Sequence, residues 1–451
     1  MSLIFLWTDM MVWLLVLVVV VWGWQLAKSV ESRRKWYDIF RSKIAMTSAI
    51  VLTFYLLFAL IDSVHFKVTE PSKSQQLYAG EIVSLLDLAM MYRKAYSERT
   101  YSAPFATTEY AKSIVVDENG VTRQQNLPLK HVAAVYPMKE SLLALLLGVF
   151  VSLLLIGAHL WLTAKEGFMQ RVSAVFKGKS ELPWRMGYVV LTLFIVLFTW
   201  LYVMSFSYHV LGTDKVGGDV FYASLKSIRT GVLIGILTTL VTLPLAIFLG
   251  VSAGYFRGWV DDLIQYLYTT LSSIPGVLLI AAGVLMMQVM MDNHPDWFAS
   301  TIERSDLRLL FLIFILGVTS WTGLCRLLRA ETLRISQMDY VKAAKAFGVS
   351  KWRIMARHIV PNLTHIILIS IVLDFSGLVL AEAVLSYVGV GVDPTMYSWG
   401  NMINQARLEM AREPMVWWSL FSSFAFMFIL VLAANLFSDR VQHVLDPRNT
   451  Q

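Results

Sequence analysis

The sequence predicts an all-α polytopic membrane protein with about nine transmembrane helices and a small α+β insert on the outer side. Three observations predict it. Hydrophobic residues make up 57% of the 451 positions and charged residues only 15%, where a soluble chain carries about 25% charged residues. The apolar residues gather into runs long enough for the roughly 20 helical residues that a hydrocarbon core of about 30 Å requires. Lys and Arg concentrate in alternate connections between those runs, favouring one side by about three to one when the long segment 63–140 is left out of the count.

The runs lie near Met10–Ala27, Ile44–Ile61, Ser141–Thr163, Met186–Phe206, Thr230–Gly250, Leu263–Met291, Leu309–Cys325, Leu363–Ser386 and Met415–Phe437. The first has no Lys or Arg before it and no small-residue cleavage site after it, so it reads as a retained helix and not a signal peptide. Cytoplasmic loops collect basic residues, which places the N-terminus outside and the C-terminus inside. The net charge of +7 follows from the same bias. It needs no nucleic acid, because the basic residues border membrane helices and are not interleaved with aromatics along a soluble face. Pro244 and Pro275 fall within runs and are expected to kink them. Cys325 is the single cysteine, so no intramolecular disulfide can form, and it reads as a packing residue.

The one sizeable polar region, 62–139, is predicted to lie outside. Ile82, Leu85, Leu86, Ala89 and Tyr92 are spaced for one face of a helix. Further on, Ile114–Asp117 and Val121–Arg123 flank Glu118-Asn119-Gly120, a hairpin turn. The insert reads equally as a partner-binding surface or as a passive cap. No period of 20–50 residues recurs, which excludes repeat architectures. The two halves do not match in hydropathy, which weighs slightly against repeat-built secondary transporters.

The inner connection 338–361 carries the sharpest local pattern. An Ala-rich helix is expected over Asp339–Phe347, stopped by a left-handed turn at Gly348. A second is expected to start behind Ser350 as N-cap and to run to about Ile359, before Pro361. Small Ala343 and Ala344 would let the first helix lie close against another surface. The segment reads as a two-helix elbow shaped to receive a push from a soluble partner.

On the order Ala343-Ala344, three residues, Gly348, then Pro361 thirteen positions later, this loop resembles the coupling loop of binding-protein-dependent ABC importer permeases. The resemblance implies a type I ABC importer permease core whose loop sits in a groove of an ATPase and transmits its closure to the membrane helices. The residues it would assign to that contact are Tyr340, Lys342, Ala343, Ala344, Phe347, Gly348, Arg353, His358 and Pro361. Lys342 departs from the acidic residue often found before Ala-Ala. His358, three before the proline, is similar to the dipeptide, oligopeptide and nickel branch, in its second-permease, C-type subunit. Four further stretches resemble that branch in the family's order: Leu211-Gly-Thr-Asp214 with Gly217-Gly-Asp219, Gly254–Asp261, Leu385–Gly391 with Ser398-Trp-Gly400, and Asp446-Pro-Arg448. They span slightly over half of the chain.

The expected organisation is an extra helix with a basic linker (1–43), a first core span (44–61), the outer insert (62–139), an inserted transmembrane hairpin (140–207) and the permease core (208–451). The alternative takes Met186–Phe206 as the family's first span. The resemblance implies a bacterial inner membrane, a homologous second permease, two ATP-binding subunits and a periplasmic substrate-binding protein. Peptides are the branch's commonest cargo, with nickel chelates and other small solutes as runners-up.

The chain itself offers no catalytic constellation. Gly178-Lys179-Ser180 ends like a phosphate-binding loop, but the first glycine position is Ser173. No His, Cys or carboxylate cluster has metal-ligand spacing, and His159 reads as a helix-contact residue. ATP and magnesium would therefore bind partner subunits, and no cofactor is expected on this chain. Asp374 falls near the middle of a run, where a carboxylate marks a transport pathway or finds a polar partner. Glu382 reads as anchoring the outer re-entrant segment, or as a site for a peptide amino terminus. An ion-coupled secondary transporter using these two carboxylates is the competing expectation, and a membrane scaffold is a third.

Overall fold

A computed structural model describes residues 2–67, 82–95, 97–116, 122–132, 137–164, 167–298 and 300–445. The helices are α1 (Trp7–Lys28), α2 (Val30–Phe40), α3 (Lys43–Asp62), α4 (Leu85–Ala89), α5 (Met91–Ala95), α6 (Pro137–Thr163), α7 (Phe168–Phe176), α8 (Trp184–Met204) and α9 (Val220–Phe256). There follow α10 (Trp259–Ser273), α11 (Gly276–Asn293), α12 (Thr301–Ile335), α13 (Asp339–Ala346), α14 (Lys351–Ile354), α15 (Val360–Val388), α16 (Trp399–Glu409) and α17 (Trp418–Leu445). Among the described residues, eight helices are long and apolar enough to cross a membrane: those at α3, α6, α8, α9, α11, α12, α15 and α17. The ninth expected span lies within α1, whose 22 residues rise about 33 Å at 1.5 Å each.

The expected span Leu263–Met291 is two helices. Ile274 is extended (φ −90°, ψ 131°) between α10 and α11, because the ring of a following proline disfavours the helical conformation. Pro275 therefore leads into α11 and does not kink a continuous helix. At Pro244, by contrast, α9 continues.

The chain forms two compact units. The first gathers the chain up to Phe5, Val20–Gly231 and Tyr397–Phe437. It holds both small sheets. In one, β2 (His65–Lys67) pairs antiparallel with β1 (Ser2–Ile4) and with β3 (Ile82–Ser84); in the other, β4 (Ser113–Val116) pairs with β5 (Thr122–Gln125), Val116 opposite Thr122. The expected hairpin strands are present; their turn residues Glu118-Asn119-Gly120 lie outside the described residues. The single helix expected through 82–92 is not found. Ser84 and Asp87 form a reciprocal capping box, which fixes a helix start at Leu85 and leaves Ile82 to the sheet.

Two buried charge networks tie this insert to the membrane helices of its unit. Lys226 of α9 reaches Asp62 at 2.7 Å and Asp87 at 2.9 Å, and Tyr222 donates to Asp87 at 2.7 Å. In the second, Arg93 donates to the Tyr208 carbonyl at 3.0 Å, and His209 Nδ1 lies 2.7 Å from Asp219. The Leu211–Asp219 motif serves the same junction: Thr213 accepts from the Ser102 amide at 2.6 Å and its carbonyl accepts from Trp418 Nε1 at 2.9 Å. Gly217 is required there. Its φ is +77°, and a Cβ would stand 1.9 Å from the Glu98 carbonyl oxygen.

The second unit gathers Leu6–Val19, Val232–Met396 and the chain from Ser438 onward. Its helices α9 and α12 approach on small residues, as membrane helices commonly do. A Cβ on Gly250 would lie 2.7 Å from the Cys325 carbonyl oxygen, and one on Gly254 would lie 2.6 Å from Thr332 Cβ. Cys325 is buried in this core, the packing role expected of it. Helix α1 is pinned here too, its Thr8 amide donating to Asp306 of α12 at 3.0 Å.

Candidate functional site

The 338–361 segment folds as an elbow whose root is apolar. Val341, Ile354, Met355, Ile359 and Leu363 are buried in one core with Ile264, Trp321, Leu328 and Ile335, and Ala344 packs against it half-buried. Helix α13 stops at Phe347 as expected, and Gly348 takes φ +75°, the left-handed turn that suits glycine. Open space surrounds the position where a Gly348 Cβ would stand.

Two local expectations are corrected. Ser350 precedes α14 with extended geometry, but its side chain makes no capping bond. The helix also does not stop before Pro361: Met355–Ile359 forms a π-helical turn that passes into α15. A proline ring clashes with the carbonyl four residues back, and the wider π turn relieves that clash while keeping the chain helical. The elbow therefore runs without a break into a membrane-spanning helix.

The outer surface of the elbow is open. Phe347 is 87% exposed and Trp352 58%; Tyr340, Lys342, Ala343, Gly348, Arg353 and Pro361 are exposed as well. Lys342 makes only a loose 3.8 Å pair with Asp339. His358 is half-buried 6.4 Å from the Tyr340 ring. Asn362 knits these two, donating to the Tyr340 hydroxyl at 3.2 Å and to the His358 carbonyl at 2.7 Å. Tyr340, Phe347 and Trp352 thus leave aromatic rings exposed on the elbow.

The connection Gly254–Asp261 supports the elbow from behind. Arg257 and Gly258 take successive positive φ values of 56° and 58°, turning α9 sharply into α10. Arg257 then donates to Ser336 Oγ, at the end of α12, at 3.2 Å.

The two candidate pathway carboxylates lie elsewhere. Asp374 is thirteen residues beyond Pro361, about 20 Å along the axis of α15. It is half-buried, and no hydrogen bond or ion pair joins it to another described residue. Glu382 is buried and accepts from Ser386 at 2.7 Å. Ser386 in turn packs against Gly391, where a Cβ would lie 2.0 Å from its Oγ. The geometry holds the segment after α15 against its own helix. Ser398 caps α16 by accepting from the Asn401 amide at 3.0 Å, which follows the Ser398-Trp-Gly motif. The Asp446-Pro-Arg448 motif lies outside the described residues. Among those that are described, no group of His, Cys, Asp or Glu could hold a metal ion.

The buried pairs Lys226–Asp62 and His209–Asp219 escaped the sequence reading. Lys226 and Asp62 lie 164 positions apart and only the tertiary fold brings them together, while His209 and Asp219, ten positions apart, are paired by an irregular loop that no periodicity signals.

Eight membrane-length helices among the described residues define a multi-pass membrane protein, and the elbow with its exposed aromatic tip is its most distinctive connection. Residues 246–451 match the profile of the family described as binding-protein-dependent transport system inner membrane component. The chain is 33% identical over 54% of its length to the glutathione transport system permease protein GsiD of Pectobacterium atrosepticum, covering 73% of that protein. It is 26% identical over 65% of its length to the oligopeptide transport system permease protein OppC of Haemophilus influenzae, covering 90% of it. It is 29% identical over 53% of its length to the dipeptide transport system permease protein DppC of Bacillus subtilis, covering 69%. The chain belongs to the binding-protein-dependent transport system inner membrane component family. It is thus a multi-pass inner-membrane permease subunit of an ABC importer, a class that works with ATPase and substrate-binding partners.

Proposed function

We propose that this chain forms half of a peptide-translocating pore with a homologous second permease, its N-terminus outside and its C-terminus inside. Closure of two ATPase subunits pushes the 338–361 elbow, and α15 carries the displacement into the pore. One observation supports this most: the elbow is rooted in the core by Val341, Ile354 and Ile359, yet Phe347 stands 87% exposed at its tip. A rigid lever with an uncovered aromatic end can transmit a force only if something grips that end. Nucleotide binding then shifts the inward–outward equilibrium through its differential grip on the two states. Di- and oligopeptides are the cargo we infer, on the names of the relatives together with His358. ATP and magnesium belong to the partner subunits, and this chain supplies no catalytic group. Asp374, half-buried and without a polar partner among the described residues, is proposed to face the pathway; Glu382 anchors the segment that follows it.

The test is reconstitution with the partner subunits and a labelled peptide. Gly348→Pro, or Phe347→Ala at the exposed tip, should leave the membrane helices folded and ATP hydrolysis running while peptide import falls at least about tenfold. Import at the wild-type rate would remove the coupling role.

A further inference from the structure

The hairpin α6–α8 carries a feature that permease activity does not use. Its two helices touch closely where Gly148 meets Val196, a Cβ there falling 2.8 Å from Val196 Cα. Along one side of this seam runs an open groove of about 700 Å³, and α7 closes one end of it. The walls are apolar over nearly their whole length, among them Leu153 and Leu160 of α6 and Leu193 and Trp200 of α8. From Arg185 to Trp200 is fifteen positions on α8, about 22 Å at 1.5 Å per residue. That exceeds the ~15 Å depth of one leaflet of a 30 Å hydrocarbon core, so the groove accommodates an extended acyl chain.

The end closed by α7 is cationic. Arg185 lines the groove there beside Tyr188. Arg171 lies one helical turn before Val175, a groove residue of α7, and so on the same face. Its Nε is buried without a hydrogen-bond partner, and no carboxylate among the described residues pairs with either guanidinium. A buried donor left unpaired is costly, and an arginine fork matches phosphate oxygens. The His159 and Trp184 rings lie 4.4 Å apart, tilted by 47°, beside Tyr188, and aromatic residues such as Trp and Tyr favour the depth of lipid headgroups.

We propose that this groove is a binding site for an anionic phospholipid, its phosphate held by Arg171 and Arg185 and one acyl chain lying along the α6–α8 seam. A ligand that binds the folded state raises the melting temperature by mass action. The detergent-purified full chain is therefore melted with added phosphatidylglycerol or with phosphatidylcholine of the same acyl chains. Phosphatidylglycerol should raise the midpoint by about 2 °C or more beyond phosphatidylcholine. The pair Arg171→Gln/Arg185→Gln should lose this excess, while Lys177→Gln/Lys179→Gln, which removes the same charge from the neighbouring connection, keeps it. Leu193→Trp fills the groove with the basic end intact and should also lose the excess, which covers the case in which the arginine pair does not fold. Equal shifts from both lipids, or an excess that survives in the arginine pair, would leave only an ordinary lipid annulus and overturn the proposal. A photocrosslinker at Leu193 that captures a protein chain in place of lipid would overturn it too.

Discussion

Arg329 on α12 grips Asp261 on α10 with both prongs, Nε 2.5 Å from Oδ1 and Nη2 2.7 Å from Oδ2. The pair joins the helix that follows the Gly254–Asp261 turn to the helix that leads into the elbow. The hydrogen bonds from Arg329 hold the Asp261 carboxyl below its usual range, against burial, which works the other way.

Removing one partner should loosen the base of the lever. Asp261→Asn is expected to cost about 1.5–3 kcal/mol, the range for hydrogen bonds to charged groups, and to lower the melting midpoint in detergent. Arg329→Lys should behave alike, because an ammonium cannot make the two-pronged contact. An unchanged midpoint in both variants would show that the pair does not brace the fold.

The junction of insert and membrane helices should depend on pH. Burial works to raise the Asp87 carboxyl, but Lys226, Tyr222 and the Ser84 amide together hold it well below its ordinary 3.8. A carboxylate lowered in the folded state stabilises the fold above its unfolded value, near 3.9, and that contribution fades as pH falls through it. The melting midpoint should therefore drop on acidification below about pH 4, and drop less in Asp87→Asn. Identical acid profiles for the two proteins would contradict this.

Lys226→Met should be worse than either carboxylate change. It leaves Asp62 and Asp87 buried without their cation, a cost of about 3–5 kcal/mol. Proteolysis of the insert in intact membranes reads the effect: the variant should be cut faster, and wild-type resistance would count against the junction.

Gly250→Val tests the close approach of α9 and α12. The added Cβ would meet the Cys325 carbonyl oxygen at 2.7 Å, and backbone cannot yield as a side chain can. A loss of about 1–3 kcal/mol is expected, measured as a lower midpoint. A neutral result would place the contact elsewhere.

Most of the membrane helices were legible in the sequence because spanning length is a coarse signal that survives without tertiary detail. The helix stop at Gly348 was legible for a local reason, a residue free to take positive φ. Three things were not. The break at Ile274 lies between two apolar runs, so hydropathy cannot distinguish it from a kink. The start at Leu85 was hidden by a capping box inside an apolar face that looked continuous from Ile82 to Tyr92. The π turn at Met355–Ile359 lets a helix pass Pro361, where the local rule says it should end. For the elbow itself, sequence gave the residues and their spacing; that Ala344 turns inward while Phe347 turns outward required the packing.

If Phe347 meets an ATPase, a photocrosslinker placed at position 347 in native membranes should form an adduct with a nucleotide-binding subunit, in a yield that changes with nucleotide. The same probe at Val116 on the β4–β5 hairpin should give none. A folded, membrane-inserted protein that forms no ATPase adduct at 347, or forms one equally at 116, would contradict that contact.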